Sequence, residues 1–385
     1  MKILMTGLLP VNLGEVKGGV VSVILNFLEA YSRMPEVEVI HVSYNEEIKA
    51  RETARYSSNV TVIYLPFKSR FALLDYVINR RSLRSIISDE QPDVVHIQEV
   101  TPQLFRFLFL NRDRVVVTQH GIMRMEYKTA IGLAKKMKSL FKGQVERFIF
   151  PLYRNIIFIS EYNKRLFNGT PVRQALIFNP VNRIFIDTDP GPGAANHILY
   201  VGVINVNKNI RMVLDAMGRL KLQGINYHLH VVGGYKDADY EPVIRQVVED
   251  NGVGAMVTFH GWKRQDEILA LHSRCAIYIH PSLQENMPVS IAESMATGRV
   301  VIASDVGAIS EMFSDGVSGF LFPSGDTERL CGILTTLHRE PGLITRVSSA
   351  ARAEARKKFH PERIAEQTLD FLNKVAGTSA RPLIG

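Results

Sequence analysis

The chain has 385 residues, too many for one compact core and well suited to two domains of similar size. Hydrophobic residues make up 46% and charged residues 22%, which excludes a disordered or fibrous chain, and no apolar run reaches the ~20 residues of a membrane span. The formal net charge is +8, and it is unevenly spread: residues 1–185 carry 26 Lys/Arg against 16 Asp/Glu, residues 186–385 carry 20 against 22. The basic character therefore belongs to the first half, where it predicts an anionic partner, nucleic acid or a membrane surface.

MKILMTG lacks the basic flank and cleavage site of a signal peptide and reads as a first buried strand. Two cysteines, Cys275 and Cys331, cannot build a disulfide framework or a closed metal site, which points to the cytoplasm. After the first strand, VVSVILNFLEAYSRM (20–34) has helical spacing, EVEVIHVSY (36–44) and NVTVIYLP (59–66) read as strands, and FALLDYVINRRSLRSIISDE (71–90) as a helix. PDVVHIQ (92–98), RVVVTQHG (114–121) and NIIFIS (155–160) are short β-branched strands. IDTDPGPGAANH (186–197) is rich in Gly, Pro and Asp without periodicity and reads as a linker or exposed loop. The alternation then restarts, from HILYVGVI (197–204) to VVIASD (300–305), and PERIAEQTLDFLNKVAG (361–377) closes the chain as a helix. Two doubly wound α/β units in tandem are expected, facing each other across a cleft. In such sheets ligands sit beyond the carboxyl ends of the strands, and clefts between domains are favoured ligand sites.

HPSLQENMPVSIAESMATGRVVIASD (280–305) carries the most chemistry. A strand ends near His280, and a helix is expected from about Met287, with Asn286 as N-cap, Pro288 in its first turn and Gly298 as its stop. Free N–H groups at that helix start suit a phosphate. Glu293 lies about 9 Å further along the helix, near the reach from a terminal phosphate to the ribose of a nucleoside diphosphate. A carboxylate there can accept hydrogen bonds from vicinal ribose hydroxyls, while Glu285, in the loop before the helix, can meet the group attached to the phosphate. Two glutamates eight apart are otherwise often unrelated and solvated, but Glu293 sits beside the apolar stripe of Val289, Ala292 and Ala296.

Glu285 and Glu293 have the E-x7-E spacing of the retaining glycosyltransferases of family 4, and the surrounding block resembles that family. The match includes the P-S pair, E-N-M-P, A-E-S-M-A-T-G and the VVIASDVGAISEMFSDGVSGFLFPSGD stretch. Weaker likenesses extend over almost the whole chain: Gly18-Gly19, PDVVHIQ, TQHG, IFNPVN, YVGVINVNKN and VTFHGW. The resemblance implies a GT-B fold: residues 1–182 an acceptor-binding Rossmann-like domain, 183–360 a nucleotide-sugar-binding one, and 361–385 a helix and tail returning to the first. It implies Glu285 near the donor sugar hydroxyls, Glu293 on the ribose, the backbone amides of Asn286, Met287, Pro288 and Val289 facing the distal phosphate, and Lys208 neutralising the diphosphate. Gly202 lies in the matching donor-site turn; Gly18 and Gly19, before the first helix, suit either a close backbone approach to the donor's phosphate or sugar or a plain turn; and His120, ending its strand, matches a histidine that contacts the donor sugar. His96 reads as buried and hydrogen-bonded, and Glu311 as a residue that holds a loop. The family usually has arginine directly after this glycine, where the chain has Gly202-Val203, so one of two phosphate-binding cations is missing; Arg211, Lys263 and Arg264 are the candidates to replace it.

The resemblance further implies transfer with retention of anomeric configuration from a UDP- or GDP-linked sugar, with the leaving diphosphate taking the acceptor proton. No cofactor or essential metal is expected: Asp187-Thr-Asp189 has a D-x-D spelling but lies in the linker. In the basic half, Lys135, Lys136, Lys138 and Lys142 interleave with Leu133, Met137, Leu140 and Phe141, a pattern that suits a helix on an anionic bilayer or a half-buried helix with a solvated lysine face. Family members often act on lipid-linked acceptors, so a glycan or lipid-linked acceptor at the inner face of the cell membrane is expected. Nucleic acid is not, since no nucleic-acid module is present. Two other readings stay open: a GT-B nucleotide-sugar epimerase, and, because of Val203, a non-catalytic sugar-nucleotide-binding protein.

Overall fold

A computed structural model describes residues 1–13, 18–67, 72–98, 104, 107–121, 133–167, 169–377 and 382–384. It divides into two compact units, Met1–Pro180 with Pro361–Gly385, and Val181–His360.

In the first unit the elements are β1 (Lys2–Thr6), α1 (Gly19–Ser32), β2 (Glu38–Asn45), β3 (Glu52–Arg55), β4 (Val60–Pro66), α2 (Ala72–Glu90), β5 (Val94–Ile97) and β6 (Val115–Gln119). They continue with α3 (Leu133–Ile149), β7 (Asn155–Phe158), α4 (Glu161–Leu166) and β8 (Arg173–Leu176). The strands form one sheet in the order β3-β4-β2-β1-β5-β6-β7-β8, parallel throughout except for β3 against β4. Its central strands are buried along their length, as the β-branched runs predict for a sheet covered on both faces. The edges, ETAR and RQAL, lack an apolar pattern and are not legible as strands; charged, short edge strands of this kind resist pairing with other chains.

The second unit has α5 (Arg183–Asp187), β9 (Ala194–Val201), α6 (Ile210–Leu222), β10 (His228–Val232), α7 (Tyr240–Asp250), β11 (Val257–Gly261), α8 (Gln265–His272) and β12 (Cys275–His280). After these come α9 (Val289–Ala296), β13 (Val300–Ser304), β14 (Phe320–Phe322), α10 (Thr327–Arg339) and α11 (Pro341–Lys358). Its parallel sheet runs β11-β10-β9-β12-β13-β14. One face carries Ile198, Tyr200, Leu229, Val231, Ile277 and Ile302 into a core closed by α6 and α10. The last helix, α12 (Pro361–Ala376), leaves this unit and packs against α1, β5 and β6 through its buried stripe Ile364, Phe371, Leu372 and Val375. Beyond it the tail is held to the first unit, where Asn111 N donates to Leu383 O at 2.9 Å.

Strand order reverses beside the first strand of each sheet, β1 lying between β2 and β5, and β9 between β10 and β12. The carboxyl ends of β1 and β5, and of β9 and β12, are therefore the switch points at which this class of sheet opens a crevice.

The Gly/Pro/Asp stretch, read as a linker or exposed loop, is a largely exposed strap on the second unit rather than a linker. The division between units falls before it, and α5 buries Phe185 and Ile186. Arg299, 1% exposed, donates to the carbonyls of His272 and Cys275 (both 2.9 Å), Thr297 (2.6 Å) and Gly191 in the strap. Arg352 adds a bond to the Asp189 carboxylate at 2.5 Å. Burial lowers the Arg299 pKa to about 10, which leaves the guanidinium charged at neutral pH. Replacing Arg299 by leucine strips three buried carbonyls and one part-buried one of their donor. We expect a loss of roughly 3–5 kcal/mol, read as a lowered calorimetric melting temperature of the full chain.

Candidate functional site

The second unit's switch point is built by two loops, one after β9 and one after β12. They are laced by backbone and side chain: Leu283 N donates to Asn207 O at 2.7 Å, and Asn207 Nδ2 donates to Gln284 O at 3.0 Å. The Asn205 side chain accepts from Lys208 N at 2.9 Å and sets the tight turn Val206–Lys208. The lacing brings Lys208 to Glu285, where Nζ and Oε1 form an ion pair. The same oxygen accepts from His280 Nε2 at 3.0 Å and from Ser282 Oγ at 2.9 Å. Burial by itself would raise the Glu285 carboxyl, whose side chain is 12% exposed; Lys208 and His280 outweigh it and hold the group well below the ordinary carboxylate range. Gly307 closes the loop from behind. Its φ is +62°, and a Cβ there would stand 1.8 Å from the Glu285 carbonyl oxygen, so only glycine fits.

Helix α9 begins at Val289, two residues later than expected, with Pro288 as the N-cap residue rather than a member of the first turn. The reason is steric. Proline disfavours helical backbone at the residue before it, which keeps Met287 out of the helix, and Pro288 itself is extended at ψ 121°. Asn286 is therefore not the cap, and no side chain caps the helix. Pro288 has no N–H, so it can offer no amide to a ligand at this segment, whatever Asn286, Met287 and Val289 contribute. Gly298, at φ +69°, follows the last turn as the expected stop. Glu293 lies on this helix, 7% exposed, and among the described residues no hydrogen bond reaches its carboxylate. Burial raises its pKa to about 7. One site thus holds an ionised glutamate clamped by donors and a second, unclamped one poised near neutrality.

Gly202 N donates to Val232 O at 2.9 Å, and its carbonyl faces Gly233, where a Cβ would stand 2.0 Å from it. Val203 puts an aliphatic side chain where the arginine was expected. Arg211 pairs with Asp215 (3.8 Å) within α6, and Lys263 and Arg264, just before α8, pair with Glu267 (3.0 Å) and Asp266 (2.6 Å) in its first turn. Asp187 bonds Arg183 at 2.6 Å and Asp189 bonds Arg352, so both D-x-D carboxylates are engaged by arginines. Glu311 lies in a short turn whose carbonyl accepts from Lys358 Nζ at 3.1 Å.

In the first unit, Gly18 takes φ +116° before α1, and a Cβ on Gly18 or Gly19 would meet nothing within 4 Å. His120 follows β6 and is buried; its Nε2 lies 2.5 Å from Gln98 Oε1 at the end of β5. Burial lowers its pKa to about 4 despite a hydrogen bond with Asn179, so the ring is neutral at pH 7. His96 is buried with Nε2 2.8 Å from Thr118 Oγ1. On α3, Lys136 is exposed and Lys142 half-buried, while the side chains of Lys135 and Lys138 lie outside the described residues. Met137, Phe141 and Phe148 are exposed, the two phenylalanines at 71%.

The residues that sequence reasoning missed are His280, Tyr278, Ser282 and Gly307. His280 and Ser282 stood in the quoted block, and the alternation of Tyr278 and His280 along β12 puts both on one face. Their partner is a glutamate reached only after the chain turns, so no local pattern marks them.

The family pattern described as Glycosyl transferases group 1 matches residues 187–354, and that described as Glycosyltransferase Family 4 matches 17–183. The amylovoran biosynthesis glycosyltransferase AmsK of Erwinia amylovora is 29% identical over 185 residues, 46% of this chain and 45% of that protein. The matched region thus spans about half the length of that relative. Among solved structures, sucrose-phosphate synthase from Thermosynechococcus elongatus is similar with a TM-score of 0.80 at 19% identity, covering 98% of this chain and 100% of the other. Anabaena HepE in complex with UDP-glucose gives 0.72 at 17%, covering 97% and 100%. Two parallel-sheet units, each matched by one half of the same enzyme architecture, place the chain in the GT-B glycosyltransferases, as a Glycosyltransferase Family 4 domain joined to a Glycosyl transferases group 1 domain.

Proposed function

We propose that the protein is a retaining glycosyltransferase that moves a sugar from a UDP- or GDP-linked donor to a cell-surface glycan or lipid-linked acceptor. The observation that carries this reading is Glu293: a carboxylate nine-tenths buried, without a hydrogen-bond partner among the described residues, on a helix that no side chain caps, at the switch point of the second sheet. A ribose would supply the hydroxyl donors it lacks. The distal phosphate would meet the amides at the start of α9 and Lys208, and the sugar would lie against Glu285. HepE, similar in fold, was solved with UDP-glucose, and AmsK is named for the biosynthesis of a polysaccharide, amylovoran; both agree with this donor and acceptor class.

In the proposed reaction the bond from the anomeric carbon to the phosphate oxygen breaks, and the acceptor oxygen bonds that carbon from the same face. The acceptor proton passes to an oxygen of the leaving diphosphate. The developing charge is met by Lys208 and the α9 amides, in a metal-independent arrangement that rests on preorganised donors. By the family resemblance His120, neutral and held by Gln98 and Asn179, and the glycines at 18 and 19 would belong to the donor site. Val203 favours a second reading, a donor-binding protein without transfer, which turnover would exclude.

The first unit is the acceptor side of this proposal. Among the described residues no helix is long and apolar enough to cross a membrane. Helix α3, with Lys136 and Lys142 beside exposed Met137, Phe141 and Phe148, suits peripheral docking on an anionic bilayer at the inner face of the cell membrane.

Glu285→Gln keeps the shape and removes the charge. Turnover of the donor should fall at least about a hundredfold while nucleotide binding persists, and full turnover would sink the assigned role. For Glu293, only the ionised form accepts two ribose hydroxyls. As pH falls below 7, donor affinity measured by calorimetry should weaken by up to about tenfold per unit, and above pH 8 it should level off; Glu293→Gln should bind weakly and without that slope. The sign for stability is opposite. The folded state holds this proton more tightly than the unfolded chain, so the contribution is present at acid pH and lost as pH rises through 7. Glu293→Gln should therefore stabilise the protein at pH 8, by an order of 2–3 kcal/mol. For the membrane, Lys136→Gln with Lys142→Gln should lower partitioning onto phosphatidylserine-rich vesicles roughly thirtyfold, and unchanged co-sedimentation would rule this surface out.

A further inference from the structure

We propose that His280 is a positioning residue for the transfer reaction: it ties one oxygen of the Glu285 carboxylate back into the protein so that the other is presented to the donor sugar, and it holds that orientation when Lys208 turns from Glu285 to the diphosphate. This rests on the reading of Glu285 given above. Three donors, Lys208 Nζ, His280 Nε2 and Ser282 Oγ, converge on Oε1 of Glu285, and among the described residues none reaches Oε2. An ionised carboxylate has about four acceptor positions. Crowding the donors onto one oxygen leaves the second with its lone pairs unused and fixes the plane in which they lie.

The three donors are not equivalent. Lysine is a compact charge on a flexible stem and changes partners readily. Lys208 is 23% exposed, and a diphosphate arriving at α9 competes for it. His280 is 1% exposed and cannot follow. Its Nδ1 lies 3.1 Å from the Tyr278 hydroxyl, which lies 2.8 Å from Ser290 Oγ in the first turn of α9. The Tyr278 and His280 rings stack with centroids 6.1 Å apart at 28°. The carboxylate sets the tautomer: Nε2 faces Glu285, which can only accept, and so carries the hydrogen, which leaves Nδ1 bare beside the Tyr278 hydroxyl. Burial keeps a second proton off the ring. The chain Ser290–Tyr278–His280–Glu285 therefore connects the helix that meets the phosphate to the carboxylate that meets the sugar, through a neutral donor that does not draw the diphosphate away from Lys208.

The test is a variant series on the full chain, read with UDP-glucose and GDP-mannose as probes, taking whichever the protein hydrolyses or transfers. His280→Leu removes the donor at similar size. His280→Asn reaches Tyr278 but not Glu285, and His280→Gln places an amide N–H near the Nε2 position. We expect kcat to fall ten- to a hundredfold in the leucine and asparagine variants and to recover to within about threefold of the parent in the glutamine variant. Calorimetric affinity for UDP or GDP, which lack the sugar, should change less than threefold throughout. In the Glu285→Gln background the His280→Asn loss should vanish, because His280 acts through Glu285. A His280→Asn enzyme within twofold of the parent, a glutamine variant as poor as the asparagine one, or losses that add in the double variant would each overturn the proposal. A fully active Glu285→Gln enzyme would instead overturn the reading on which it stands.

Discussion

A buried carboxylate keeps its charge only if the protein supplies opposite charge and hydrogen bonds, and the Lys208–Glu285 pair answers that demand for the second unit. Neither residue reaches the other by local structure. Asn205 shapes one loop, Asn207 ties it to the next, and Gly307 lets that loop approach to a distance no side chain allows. Removing one partner would leave a charge with few donors in a site largely closed to water, and for that reason the lacing around the pair belongs to the site as much as the pair itself does. The strand order places both loops at one end of the sheet; the lacing turns proximity into a defined contact.

The two glutamates show how environment divides one residue type into two roles. Glu285 and Glu293 are both buried, and burial pushes both toward the neutral form. At Glu285 three donors reverse that tendency. At Glu293 no donor among the described residues does, and the group sits near its midpoint at neutral pH. A residue left in that state inside a folded domain carries a standing penalty for its charge, which a ligand bearing two hydroxyl donors would relieve. The asymmetry gives direction to the proposed reaction: the clamped carboxylate offers a fixed negative edge, the unclamped one gains its partner on binding.

The architecture was legible because a parallel sheet buried on both faces must be written as β-branched runs, and those runs are long enough to stand out in both halves. The edge strands Glu52–Arg55 and Arg173–Leu176 were not legible, since half-exposed edges carry polar residues for solubility rather than a pattern for burial. The glycine- and proline-rich stretch after α5 was read as a linker because composition reports the lack of periodicity, not what holds a loop. What holds it is Arg299, 108 residues further along from Gly191. The start of α9 was placed two residues early because a proline in the first turn and a proline at the cap look alike in sequence; the constraint on Met287 decides between them. The E-x7-E spacing drew attention to Glu285 and Glu293, and the resemblance to Lys208. That Lys208 and Glu285, 77 residues apart, would neutralise each other was not legible, because spacing along a chain says nothing of which loops are laced together.

That pairing also explains why the second half of the chain looks near-neutral although its proposed ligand is a diphosphate. A lysine stored against a glutamate adds nothing to the net charge, and the other candidate cations, Arg211, Lys263 and Arg264, are likewise matched by carboxylates two to four residues along the chain. The attraction for phosphate then comes from what net charge does not count: helix amides without a capping side chain, and a lysine able to exchange one anion for another. Under the proposed function, binding is an exchange in which Glu285 loses a partner as the phosphate gains one. A carboxylate deprived of its cation would be expected to retreat or take up a proton unless other donors held it. His280 and Ser282, both buried and both bonded to the same oxygen, are placed to prevent either outcome.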